Sequence, residues 1–83
     1  MLKRQPKTNE VDKLVSIDGS TVFSVRKRTD KNYEFYIEEL KYDEEEDIYY
    51  WSQETLPRSH IFGSILDSKA EILAQFGHLL NSN

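Results

Sequence analysis

Residues 21–40 read TVFSVRKRTDKNYEFYIEEL, and this stretch decides the fold of the chain. Two runs rich in β-branched and aromatic residues flank the tetrapeptide TDKN, a composition typical of two strands joined by a turn. If Phe23 and Val25 face the core, antiparallel pairing places them opposite Ile37 and Phe35. The stretch therefore predicts a β-hairpin with one apolar face.

Further strand patterns lie on both sides of this hairpin. Upstream, order is expected to begin near Lys13. Residues 14–17, which include the β-branched Val15 and Ile17, lead into Asp18-Gly19, a dipeptide suited to a tight hairpin turn. Downstream, the acidic residues 43–47 form a connection, and the aromatic run at 48–53 predicts a fourth strand. Residues 59–65 are compatible with a fifth strand or an extended arm.

The predicted register sets Trp51 beside Ile37 on the core face. The opposite face then carries a mixed polar and aromatic set: Val22, Ser24, Arg26, Glu34, Tyr36, Glu38, Tyr50 and Ser52.

The end of the sequence has a helix pattern. Ser68-Lys69-Ala70-Glu71 fits a capping box, and a helix from Lys69 to Leu80 would gather its apolar residues on one face. Those residues are Ile72, Leu73, Phe76, Leu79 and Leu80. The sequence predicts an α+β fold, an antiparallel sheet of four or five strands with one C-terminal helix on a single face. Its expected core is Phe23, Val25, Phe35, Ile37, Trp51, Ile72, Leu73 and Phe76.

Size and composition limit the class of protein. Eighty-three residues without cysteine predict one domain, residues 11–83, that folds without disulfides or thiolate metal sites. Residues 1–10 lack apolar periodicity and are expected to form a disordered basic tail. No apolar stretch approaches the length needed to span a bilayer, so we expect a soluble, cytoplasmic protein that does not bind membranes.

Charge is divided unevenly along the chain. Residues 1–31 have a net charge of +4, whereas residues 32–54 have nine acids against Lys41 alone and a net charge of −8. Such asymmetry indicates the kind of partner a protein attracts rather than its fold.

The acidic block and its tyrosines favour a protein-binding surface. Tyrosine and tryptophan dominate interface energetics, and surrounding acids steer a basic partner, a class that includes decoys of nucleic acid. The residues expected to bind the partner are Glu38, Tyr42, Asp43, Glu44, Glu45, Glu46, Asp47 and Tyr50. We therefore predict a small non-catalytic binding or regulatory module, of the sort encoded by phages and mobile elements. Open sheet edges make a homodimer compatible with this prediction.

The alternative is a protein that binds single-stranded nucleic acid. Cations next to aromatic rings suit such a ligand, and the basic tail could add phosphate contacts. The residues of this alternative are Arg26, Lys27, Arg28, Lys31 and Tyr36. The negative net charge argues against it, as does the predicted register, which pairs Arg26 with Glu34 across the strands.

Enzymatic and metal-dependent functions receive little support. Asp43, Glu45 and Asp47 alternate as in a calcium-binding loop, but Ile48 stands where that loop requires glycine. His60 lies near serines and an acid in sequence, but no nucleophile-elbow pattern surrounds a serine. We expect no catalytic residues, no metal and no cofactor.

Residues 42–70 resemble the HicB-type antitoxin domain, a partial RNase H-like sheet with a helix packed on it. The resemblance rests on an acidic turn, an aromatic strand, Leu56-Pro57, Gly63 and a helix entered through Asp67-Ser68. Arg58 stands where the family has a turn glycine. The resemblance implies a small regulatory protein that binds another protein.

Overall fold

The computed structural model describes residues 4–55 and 61–80. They form a four-stranded antiparallel sheet, in the order β1-β2-β3-β4, and one helix that packs on it. The elements are β1 (Glu10–Val15), β2 (Thr21–Lys27), β3 (Tyr33–Asp43), β4 (Ile48–Thr55) and α1 (Ile65–Leu80). This arrangement confirms the predicted α+β fold.

The central hairpin has the predicted register. Phe23 lies opposite Ile37 and Val25 lies opposite Phe35. Phe23, Val25 and Phe35 are buried together with Ile72 of α1. This cluster joins the sheet to the helix, because the alternation along β2 and β3 places their apolar side chains on the face that α1 covers.

The predicted position of Trp51 is wrong. Trp51 lies opposite Leu40, and Ile37 lies opposite Glu54. The pairing of β3 and β4 continues to Asp43, beyond the expected end of β3, and this shifts the partners of every residue in β4. Since Leu40 is an odd number of residues from Ile37, Trp51 lies on the sheet face opposite the helix.

The helix begins one turn earlier than predicted. Its N-terminal cap is Ser64, whose hydroxyl accepts a hydrogen bond of 3.1 Å from the backbone N–H of Asp67. Ser68, the predicted cap, lies inside the helix and is fully buried. Ser64 and Asp67 repeat the pattern of Ser68 and Glu71 four residues upstream, and the earlier start brings an extra helical turn to the core.

The helix face also differs from the prediction. Leu73 and Leu79 are exposed, whereas Ile65, Ile72, Phe76 and Leu80 pack in or against the core. The ring of Phe76 lies 5.0 Å from that of Phe23. Among the described residues, no helix is long and apolar enough to cross a membrane.

The first strand starts at Glu10, three residues before the expected onset of order. A bulge between Glu10 and Asp12 turns Glu10 toward the face opposite α1, while Asp12 lies 3.0 Å from Nζ of Lys69 on the helix. Residues 1–3 of the predicted tail lie outside the described residues. Residues 56–60, which include the start of the predicted fifth strand, also lie outside them. Of the described part of that predicted strand, residues 61–65, Phe62 forms an isolated antiparallel bridge with Tyr33.

Candidate functional site

The β3–β4 hairpin extends beyond the rest of the sheet. Pairing of β2 with β3 ends at Thr21 and Glu39, whereas pairing of β3 with β4 continues to Asp43 and Ile48. Helix α1 packs on β1, β2 and β3, and in the described ranges it makes no contact with β4. Residues 41–50 therefore form a two-stranded projection, which we call the hairpin arm.

A pair of tyrosines holds the two strands of the hairpin arm together. Tyr42 and Tyr49 face each other across the strands with their ring centroids 5.0 Å apart. The Tyr42 hydroxyl also donates a hydrogen bond to Asp47, which raises the pKa of Tyr42 above its ordinary value. Because a two-stranded hairpin is only marginally stable alone, these contacts determine whether the arm keeps its shape.

The acids of the arm divide into two groups. Asp43 accepts hydrogen bonds from the backbone N–H groups of Glu45, at 3.0 Å, and Glu46, at 3.4 Å. Asp47 adopts a positive φ of 53° that closes the turn. Asp43 and Asp47 therefore shape the turn, while the side chains between them, Glu44, Glu45 and Glu46, are exposed.

The arm also exposes large apolar and aromatic side chains on both of its faces. Tyr42 and Tyr49, exposed by 46% and 59%, lie on the face opposite the helix. Ile48 and Tyr50, exposed by 52% and 42%, lie on the other face. Isolated apolar residues are common on protein surfaces, but two on each face of one small projection, beside five acids, are typical of an interaction site.

Glu38, predicted to bind the partner, is buried in the sheet face opposite the helix. It is only 6% exposed and forms ion pairs with Arg4, at 2.6 Å, and with Arg26, at 3.4 Å. Arg4 also pairs with Glu10. These four residues form an ion cluster that occupies Glu38 within the fold, so Glu38 does not belong to the accessible surface.

Hydrogen bonds and an aromatic ring complete the ion cluster. Arg26 donates to Ser24 at 3.0 Å, and its guanidinium lies 4.2 Å from the ring centroid of Tyr36. Burial by itself would raise the pKa of Glu10, but hydrogen bonds from Arg4 and Ser24 outweigh it and hold that pKa below its ordinary value. The charged form of Glu10 is therefore stabilised by folding.

The residues of the nucleic-acid alternative do not form one accessible cationic surface. Arg26 is only 4% exposed, because it lies in the ion cluster. Arg28 pairs with Asp30 at 3.3 Å and with Glu34 at 3.0 Å. Lys27 and Lys31 are exposed. Tyr36 is half-buried, and its hydroxyl donates to Glu34.

No metal-binding group of three or more His, Asp or Glu side chains occurs within residues 4–55 and 61–80. Two acids of the candidate calcium loop, Asp43 and Asp47, are engaged in the turn. The sequence also offered His60 and its neighbouring serines as a catalytic group. Of these residues, Ser64 caps the helix, and Ser59 and His60 lie outside the described residues.

Two features of the site escape prediction from the sequence. The exposure of Ile48 and Tyr49 follows from the length of β3, whose last residues, 41–43, are polar or charged and resemble the start of a loop. The sequence does contain one signal of this exposure. Aromatic residues lie on both faces of β4, which is unusual for a strand with only one face packed on a core. Arg4 belongs to a segment without periodicity, so nothing in its neighbourhood signals a contact with Glu38.

Comparison with protein-family models, with curated proteins and with solved structures finds no match to this chain.

Proposed function

We propose that this protein is a non-catalytic binding module that uses the hairpin arm to bind a protein partner with a basic surface. One observation carries the proposal. Ile48, Tyr49 and Tyr50 are exposed on a strand that α1 does not contact within the described residues, and they directly follow five consecutive acids.

The two kinds of residue on the arm have different physical effects. Aromatic side chains supply most of the binding energy in protein interfaces, because each buries a large area. Glu44, Glu45 and Glu46 contribute a negative field that accelerates encounter with a basic partner. A regulatory role in the cytoplasm, of the kind that the HicB-type resemblance implies, is part of this proposal.

A displayed library of random twelve-residue peptides tests the proposal and requires no candidate partner. We expect the wild-type protein to enrich peptides that are rich in Lys and Arg and that also contain apolar residues. Loss of a steering field should weaken capture, so the E44Q/E45Q/E46Q variant should retain these peptides less well.

The variant E71Q controls for the loss of an acid outside the arm, because Glu71 lies on α1. It should enrich the same peptides as the wild type. Enrichment of peptides without positive charge, or equal retention by wild type and triple variant, would contradict the proposed function.

A further inference from the structure

Within the described residues, one edge of β4 pairs with no other strand, and the sheet geometry defines which backbone groups point to that edge. The N–H of Leu40 donates to the carbonyl of Ser20 at 2.8 Å, toward the β2 side of β3. Two residues that lie opposite each other in antiparallel strands either exchange both backbone hydrogen bonds or exchange none. A residue whose N–H points away from the partner strand belongs to the second kind, in which both residues point their N–H and C=O groups outward. Leu40 and Trp51 are such a pair, so the N–H and C=O of Trp51 point away from β3.

The same alternation applies to Tyr49, two residues earlier on β4. Within the described part of the chain, β3 is the one strand that pairs with β4. The outward backbone groups of Tyr49 and Trp51 therefore lie along an open edge. Natural proteins block such edges with lysine, proline or bulges, but β4 contains neither lysine nor proline, and its register with β3 is continuous.

We propose that the partner contributes an extended basic segment that adds to the edge of β4 as a fifth strand. Its backbone pairs with the N–H and C=O groups of Tyr49 and Trp51. Its side chains alternate between the two faces of the sheet, beside Tyr49 on one face and beside Ile48 and Tyr50 on the other. This inference rests on the proposed function and specifies the mode of binding.

Charge identifies the occupant as a basic segment rather than a second copy of this chain. The arm carries the five consecutive acids 43–47, and residues 32–54 have a net charge of −8. Pairing of β4 with β4 of another copy would bring two such negatively charged regions into one sheet, and their mutual repulsion opposes that association. A segment with lysine or arginine next to residues 43–47 instead gains attraction at the same edge.

An eight-residue peptide of alternating lysine and valine is a suitable probe, and the same peptide N-methylated at every residue, which blocks both of its edges, is its control. The variants Tyr49→Pro and Tyr49→Ala form a matched pair. Both remove the aromatic ring, but only proline removes the outward N–H and clashes with an added strand. Proline is tolerated at an edge position whose N–H faces solvent, so both variants should fold, which thermal unfolding checks.

We expect the alternating peptide to bind Tyr49→Pro at least about tenfold more weakly than Tyr49→Ala, the effect of one to two lost hydrogen bonds. The N-methylated peptide should show a similar loss against the wild type. In the complex with the alternating peptide, the amide protons of Tyr49 and Trp51 should exchange at least about tenfold more slowly than in the free protein.

The outcomes separate the mode of binding from the proposed function. Equal affinity of the two Tyr49 variants, with unchanged exchange at Tyr49 and Trp51, would overturn strand addition. If binding of the peptide still weakened in E44Q/E45Q/E46Q, the proposed function would stand. Absence of any binding by the wild type at low salt would overturn both.

Discussion

Tyr42 and Tyr49 stack across the β3–β4 hairpin with ring centroids 5.0 Å apart, and Tyr42 also donates a hydrogen bond to Asp47 in the turn. Neither ring contributes to the core between sheet and helix. Aromatic pairs of this kind add about 0.5–1.5 kcal/mol beyond the burial of their surface. The pair therefore stabilises a projection whose other large side chains remain exposed, and it maintains the shape of the arm before any partner binds.

The helix register is tested by two adjacent residues. Ile72 is fully buried, so Ile72→Ala should lower the free energy of unfolding by about 2–5 kcal/mol. Leu73 is 52% exposed, so Leu73→Ala should change it by about 0.5 kcal/mol or less. Chemical denaturation of both variants measures the difference. Similar losses in the two variants would show that α1 presents a different face to the sheet.

The exposed acids of the hairpin arm should be dispensable for stability. Replacing Glu44, Glu45 and Glu46 by Gln removes mutual repulsion, so the melting temperature should stay the same or rise slightly. Asp43→Ala should instead raise amide exchange in the arm, because Asp43 accepts backbone hydrogen bonds in the turn. A marked loss of thermal stability in the triple variant would contradict this division of the acids.

The ion cluster should make stability fall in acid. The folded-state pKa of Glu10 lies below its ordinary value of 4.5, so its contribution is present above that pH and is lost as the pH falls through the folded-state pKa. We expect Glu10→Gln to be less stable than the wild type at neutral pH but to lose less stability on acidification. Denaturation at several pH values measures this. The exposed-acid control Glu45→Gln should follow the pH profile of the wild type. If Glu10→Gln also followed that profile, the result would count against a stabilising role of the ion cluster.

Nucleic acid should bind weakly, because Arg26 and Arg28 are already paired with acids. At about 0.15 M salt we expect affinity for short single-stranded or duplex DNA and RNA no tighter than the non-specific range of about 10⁻⁴–10⁻⁶ M. Fluorescence anisotropy with labelled oligonucleotides decides it. Tighter binding that is lost in Lys27→Ala/Lys31→Ala, which changes the exposed cations without touching the ion cluster, would favour the alternative function.

The central hairpin was predictable because its alternation has one consistent solution. Shifting β2 against β3 by a single residue would move Phe23 and Val25 away from α1. The position of Trp51 was not predictable in the same way. Residues 41–43 are polar or charged and look like the start of a loop, yet their backbone continues the β3–β4 ladder. The turn is therefore shorter than expected, and Trp51 lies opposite Leu40 instead of Ile37.

Two other errors have different causes, one local in the sequence and one not. Ser64 and Ser68 each begin a sequence pattern suited to a helix cap. Ser64 caps the helix because Ile65 then packs against the core and Ser68 lies buried inside the helix. The surface role predicted for Glu38 failed because its partner Arg4 is distant in sequence. Pairing across such a separation depends on the fold and leaves no periodic signal in the chain.

The most direct test of the central claim is the rate at which the protein associates with the basic peptides enriched from the library, measured by stopped-flow fluorescence at low and high salt. We predict fast association by the wild type that slows steeply as salt increases, and slower, less salt-dependent association by E44Q/E45Q/E46Q, with dissociation changed less. Association rates that are equal for the two proteins at both salt concentrations would contradict a partner-binding role for the acidic hairpin arm.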